Sequence, residues 1–189
     1  ETDADMARST VETFLDVLRG QGFAQHNPQP MFPNPPGLLR VEPFSAGLRE
    51  RIWWGASANA TAIWTAQMGM NLQSSTLKHD ESGEPFHVQQ AAQIRAFRQA
   101  WKEAGHGREP RVSVSRSIFP IVDARDRAYF GGSGESTDQI GLLHGQTRAI
   151  FGRTYAAEPD RLAKQLAQDE AIAAADTLML TIPNQLGVD

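Results

Sequence analysis

The sequence predicts an α/β protein of parallel strands joined by helical crossovers. The first observation is residues 51–77, RIWWGASANATAIWTAQMGMNLQSSTL. A short apolar run through Ile52, Trp53 and Trp54 meets Gly55-Ala56-Ser57, a helix-like segment follows, and a second apolar piece at residues 70–72 ends in Ser74 and Ser75. That is the order of a βαβ unit. The second observation is that strand-like and helix-like segments alternate through the rest of the chain, as crossover connections require. The last apolar run (TLMLTI, residues 177–182) directly follows a helical pattern and closes the alternation at Pro183.

Each element has a local cause. Thr2 and Asp3 precede a helical pattern through Met6, Val11, Phe14, Leu15 and Leu18 that stops at Gly20 and Gly22. Residues 22–50 hold six of the eleven prolines, too many for a regular element, and read as an extended surface connection. In the turn after residue 54, Gly55 permits a tight bend and Ser57 stands at the N-cap position, where free amides make a ready phosphate site. Residues 78–85 are polar and turn-like. From His87, a helix shows Ile94, Phe97, Trp101 and Ala104 and stops at Gly105. Residues 111–122 (RVSVSRSIFPIV) alternate as a strand, and residues 125–129 form a short helix. The glycine-rich, polar residues 131–152 suit a mobile loop or lid, Pro159 opens a third long helix through Leu162, Leu166 and Ile172, and residues 177–182 are the last strand.

Composition narrows the class. Hydrophobic residues at 40% and charged residues at 21% of 189 are those of one soluble globular domain with a sizeable core. A net charge of −4 without any basic block argues against a nucleic-acid or anionic-membrane surface. The absence of cysteine excludes disulfides, thiolate metal sites and cysteine nucleophiles, and it fits a reducing, cytoplasmic setting. The five histidines (26, 79, 87, 106 and 144) show no metal-ligand spacing, so no metal is expected. His144 falls in the expected lid. There is no GxGxxG, no Walker loop and no nucleophile elbow. The chain begins at Glu1 and ends at Asp189 just past a strand, so it is expected to be part of a larger protein, with a helix and Pro-rich connection over 1–50 and the strand–helix repeats over 51–189.

Four strands with helices between them make either half of a (βα)8 barrel or a small doubly wound sheet. Both place functional groups past the C-terminal strand ends, here residues 55–59, 74–76, about 116–120, and 183–185. Ser57, Ser74, Arg116 and Asn184 should therefore share one side of the sheet. By alternation Arg116 shares a face with Val112, Val114 and Ile118, where a cation needs a partner. Trp53 and Trp54, adjacent on a strand, point to opposite faces as core residues.

The segments IWWGASANATAIWTAQMGMNL, EPFHVQQAAQIRAFRQAWKEAG, REPRVSVSRSIFPIVDARDRAYF and RTYAAEPDRLAKQLAQDEAIAAADTLMLTIPNQLGVD resemble, in order and spacing, the C-terminal half of bacterial luciferase-like flavin-dependent monooxygenases. The resemblance covers residues 51–189 and implies strands five to eight of a (βα)8 TIM barrel that uses reduced FMN and O2 on a small organic substrate. It implies a flavin-phosphate contact at Gly55, Ala56 and Ser57. The family's second hydroxyl residue is Ala60 here, and Asn59 or Thr61 can substitute. Arg116 takes the place of an inward Arg with a substrate or flavin role, but the His two positions on is Ile118, which weakens a sulfonate substrate. Residues 131–152 match an insertion that closes over the site, and the turn at 152–154 lies where backbone amides approach the phosphate. The family also implies a homodimer and a flavin reductase as electron source. Its alternatives are a deazaflavin-dependent oxidoreductase on the same barrel and a non-catalytic flavin-binding remnant.

Overall fold

The computed structural model describes residues 3–132, 136–143 and 145–181 and divides into two compact units at Ile52/Trp53. The first unit opens with helix α1 (Asp3–Leu18), which carries Asp3 and Asp5 in its first turn, where carboxylates oppose the helix dipole. Its connection has no strand ladder among the described residues. A single antiparallel bridge joins Ala24 to Leu39, and a short 3-10 turn at Arg49–Arg51 ends it.

The second unit is α/β. Strands β1 (Trp53–Ala56), β2 (Asn71–Ser74) and β4 (Val112–Pro120) lie parallel in that order. Strand β8 (Thr177–Thr181) pairs parallel with β4 over Ser113–Ser117, and β7 (Tyr155–Ala157) pairs with the far end of β4. The crossovers are α2 (Asn59–Gln67), α3 (Phe86–Ala104) and, beyond the short helix α4 (Ala124–Phe130) that follows β4, the pair α5 (Pro159–Ala167) and α6 (Glu170–Ala174). Neighbouring crossovers touch, α2 on α3 and α3 on α6. Their apolar sides meet one face of the sheet. Ala56, Leu72, Val112, Val114 and Leu178 pack with Ala62, Ala66, Ile94, Phe97, Trp101 and Ala171, and the registered pairs show that these strand residues all project the same way. All three crossovers thus stack on a single face.

A second, antiparallel sheet is built from β3 (Leu77–His79), β6 (Thr147–Phe151) and β5 (Gln139–Leu143), in the order β3-β6-β5. Here the structure corrects the sequence reading twice. Residues 78–85 begin within a strand, and much of the expected loop at 131–152 is a β-hairpin, tied to the body because β6 pairs along β3. Alternating short apolar residues such as Ile140, Leu142 and Ile150 find ladder partners that local composition does not reveal. Residues 133–135 and His144, within the expected lid, lie outside the described residues, as does Asn184.

Three further expectations are corrected. Gly55 lies within β1, paired to Gln73, and needs no special backbone conformation. Ser57 is not the cap of α2, which starts after Ala58 with no side-chain cap. The third long helix is two, because Asp169 accepts hydrogen bonds from the amides of Ala171 and Ile172 (both 3.0 Å) and restarts the helix. Helix α3 ends as expected at Gly105, whose φ of 70° is left-handed. Gly105→Ala is expected to cost about 1 kcal/mol in urea denaturation, the strain of a side chain in that conformation.

Candidate functional site

The parallel strands bring their C-terminal ends to one edge, so Ser57, Ser74 and Arg116 lie on the same side. Their surroundings differ.

After β1 the chain turns through Ser57 and Ala58 into α2. The Ser57 hydroxyl has no hydrogen-bond partner among the described residues, while its carbonyl accepts from the amide of His79 (3.0 Å). Strand β3 therefore runs beside the turn and sets the fully buried Lys78 against it. The Lys78 ammonium donates to Asn59 Oδ1 (3.2 Å) and the Ser57 carbonyl (3.5 Å) and pairs with Glu81 (3.4 Å). Burial pushes its pKa below the ordinary lysine value, and Glu81 opposes the shift. The other Glu81 oxygen accepts from the Asn59 amide at 3.2 Å. The helix start that the sequence marks as a phosphate site thus already carries a carboxylate from its own chain. Of the expected cofactor-binding residues, Gly55 is exposed, Ala56 is buried in the core, Ser57 offers a free hydroxyl, and Asn59 is held by Lys78 and Glu81.

Arg116 lies on the helix-packed face, 3% exposed, and its cation has the partner that this face demands. Its Nε and Nη2 donate to the two oxygens of Asp169 (2.7 and 3.0 Å), and Nη1 donates to the Ser115 carbonyl (2.9 Å). Asp169 also accepts from the Tyr155 hydroxyl at 2.6 Å. Burial would push the Asp169 carboxyl up. The Arg116 hydrogen bonds and charge, with those of Tyr155 and the α6 amides, outweigh burial and hold it below the ordinary value. Burial and the Asp169 bond push the Tyr155 hydroxyl up. Arg116 is thus one half of a structural ion pair whose donors are turned toward Asp169 and the strand.

Ser74 likewise faces the helices. Buried, it donates to Gln93 Oε1 at 2.7 Å, while Gln90 Nε2 donates to the Ser75 carbonyl at 2.8 Å, so α3 clamps the end of β2. At the turn 152–154, the Arg153 amide donates to Asp138 (3.0 Å) and the Thr154 amide to Ser136 (3.1 Å), so these amides are committed within the chain.

Two openings lie along this edge. A small one of about 50 Å³ has Thr76, Phe86, Ser115, Arg116, Arg153 and Thr181 in its wall, so the expected site residue Arg116 borders it. A larger cavity of about 410 Å³ extends over β7, with Arg127, Arg153, Arg161, Thr154 and Glu158 in its wall. Arg153 belongs to both. Sequence reading misses Lys78, Glu81, Arg153, Tyr155 and Asp169, because each is assembled by contacts between distant segments. Among the described residues no cluster of acidic or histidine side chains could hold a metal ion, and no helix is long and apolar enough to cross a membrane. No protein-family model matches the chain, and no curated protein sequence matches it.

The buried pair yields a prediction. Asp169→Ala leaves Arg116 unpaired and should cost roughly 3–5 kcal/mol, whereas Arg116→Met with Asp169→Leu should recover much of that loss. In the parent, the carboxylate's contribution is complete above about pH 4, Asp169's unfolded range, and is lost as pH falls through its lower folded value. Urea midpoints measured from pH 2 to 7 should show this acid limb in the parent and a weaker one in the double variant.

Proposed function

We propose that this chain forms the C-terminal half of a luciferase-like (βα)8 flavoprotein. In this reading it is a monooxygenase that uses reduced FMN to place one atom of O2 in a small organic substrate. The observation that carries the reading is the order β1-β2-β4-β8 with every crossover helix on one face. A parallel sheet with its crossover helices on one face suits a barrel wall, and the C-terminal edge is where barrels work.

The residues at that edge suit a phosphorylated, polar-rimmed cofactor. The turn after β1 offers the Ser57 hydroxyl and the first-turn amides of α2, with the Lys78 ammonium behind them. Glu81 now neutralises that charge, and about a third of its side chain is exposed, so it can swing away when a phosphate takes its place. Bound reduced FMN would supply two electrons, leaving one oxygen atom in the product and the other in water. The protein's part is to hold the phosphate, orient the ring edge and exclude water. Arg116 acts here as a positioning residue, keeping β4, β7 and α6 in place beneath the site.

Two substitutions test this. Ser57→Asp sets a carboxylate against the phosphate and should weaken FMN binding by at least about 2 kcal/mol, leaving thermal stability unchanged because Ala58 is the cap. Glu81→Gln removes the resident competitor and should strengthen FMN binding. Riboflavin, lacking the phosphate, should bind parent and variants alike in fluorescence titration. Equal FMN affinity in all three proteins would remove this turn from the site, and absence of O2 consumption with reduced FMN would remove the monooxygenase reading.

A further inference from the structure

We infer that the helix-free face of the parallel sheet binds an uncharged organic molecule carrying amide, carbonyl or hydroxyl groups, in preference to an anion. Helices cover the side of the sheet that holds Ala56, Leu72, Val112, Val114 and Leu178. Alternation sends Gly55, Gln73, Ser113, Ser115, Ser117 and Met179 to the other side. Barrel strands ordinarily fill that side with bulky branched residues. Here it carries a glycine and three serines, and no residue that β1, β2, β4 and β8 send to it is charged.

Register places these groups side by side. Gly55 neighbours Gln73, Gln73 neighbours Ser113, and Ser115 stands next on β4 beside Met179, about 6.6 Å further along the strand. At Gly55 a Cβ would meet nothing within 4 Å, so the row has open space at one end. Its polar groups are unspent. Gln73 Nε2 donates to the Ser74 carbonyl (3.1 Å), which leaves Oε1 without a partner among the described residues. Ser113 lies deepest, 2% exposed, and its hydroxyl has no hydrogen-bond partner. An unpaired buried hydroxyl is costly to the fold, and a ligand that pairs it removes that cost. Serine hydroxyls donate as well as accept, and Gln73 Oε1 accepts, so the row matches amide N–H, hydroxyl and carbonyl groups.

The nearby cations are committed elsewhere. Arg116 faces the helices and Asp169, while Arg111 lies over Trp53 (5.4 Å) and donates to the Thr177 hydroxyl (3.3 Å), at the end where β4 begins. Arg153 stands at the opposite, C-terminal rim, over the Tyr155 ring. A carboxylate or sulfonate on the row would give up its hydration for no countercharge and meet the Gln73 lone pairs.

In the flavoprotein reading this face is the barrel interior, and the inference rests on that reading only in calling the bound molecule a substrate. The test is an NMR titration of backbone amides with butyramide and, separately, with the nearly isosteric butyrate. Butyramide should shift the Gln73, Ser113 and Ser115 amides saturably and bind at least about tenfold more tightly than butyrate. Gln73→Leu and Ser113→Ala should each weaken butyramide about tenfold. Gly55→Val fills the open end and should abolish binding, yet the urea midpoint should hold or rise, because valine suits a strand and meets no atom there. Ser57→Asp should leave butyramide binding unchanged. Butyramide binding without O2 consumption in the presence of reduced FMN keeps the inference and removes the monooxygenase reading. Equal or tighter binding of butyrate overturns the inference, as does undiminished butyramide binding in both Gln73→Leu and Gly55→Val, whatever the flavin measurements give.

Discussion

The arrangement at the C-terminal edge depends on one buried ion pair. Arg116 stands on the face of β4 that packs against helices, where an unpaired guanidinium would be very costly. Asp169 meets it with both oxygens, and the same carboxylate caps α6 and receives the Tyr155 hydroxyl. One side chain therefore joins the middle strand, the strand β7 and the break between α5 and α6. The break exists because Asp169 cannot both continue a helix and turn its carboxylate back on the next amides. The bent crossover lets α5 lie along β7 while α6 reaches α3.

The same network links core and surface. Tyr155, fixed from below by Asp169, supports Arg153 from above, and Arg153 borders both openings at the edge. Close by, Phe86 carries Arg116 over its ring, and its amide donates to Asp138, which also holds the Arg153 amide. Gly152 belongs to this constraint: a Cβ there would stand 2.6 Å from the Phe86 ring. The turn before β7, with Arg153 on it, is thus placed by packing and by carboxylate bonds together.

At the neighbouring turn, electrostatics replace packing. Lys78 is fully buried and its charge is disfavoured by desolvation, yet it is retained by Asn59, Glu81 and a carbonyl. Glu81 in turn satisfies the first amide of α2, a task that no residue of the turn itself performs. The two charges form a self-contained lock on the helix start. Asp80, next to Glu81, is held below its ordinary carboxyl value chiefly by Gln89, then by the Gly83 amide and Arg148, and so pins β3 to the hairpin and to α3.

Local pattern by itself determined the helices α1 and α3, the strands β2, β4 and β8, and the alternation that makes the sheet parallel. Apolar spacing, Gly105 and Pro159 act within a few residues, so their signals survive without the fold. The need of Arg116 for a partner was also legible, since alternation alone puts it among Val112 and Val114. Its partner was not. Asp169 is 53 positions away in an ordinary polar helix stretch, and only the tertiary structure decides which carboxylate closes the pair. The same reason hid β3, β5 and β6, whose short ladders are stabilised by one another, and the cap on α2, supplied by Glu81 from 22 positions on. Periodicity could not choose between helices on one face and on two, because a helix shows the same apolar stripe wherever it lies; the packing of α2 on α3 and α3 on α6 makes that choice.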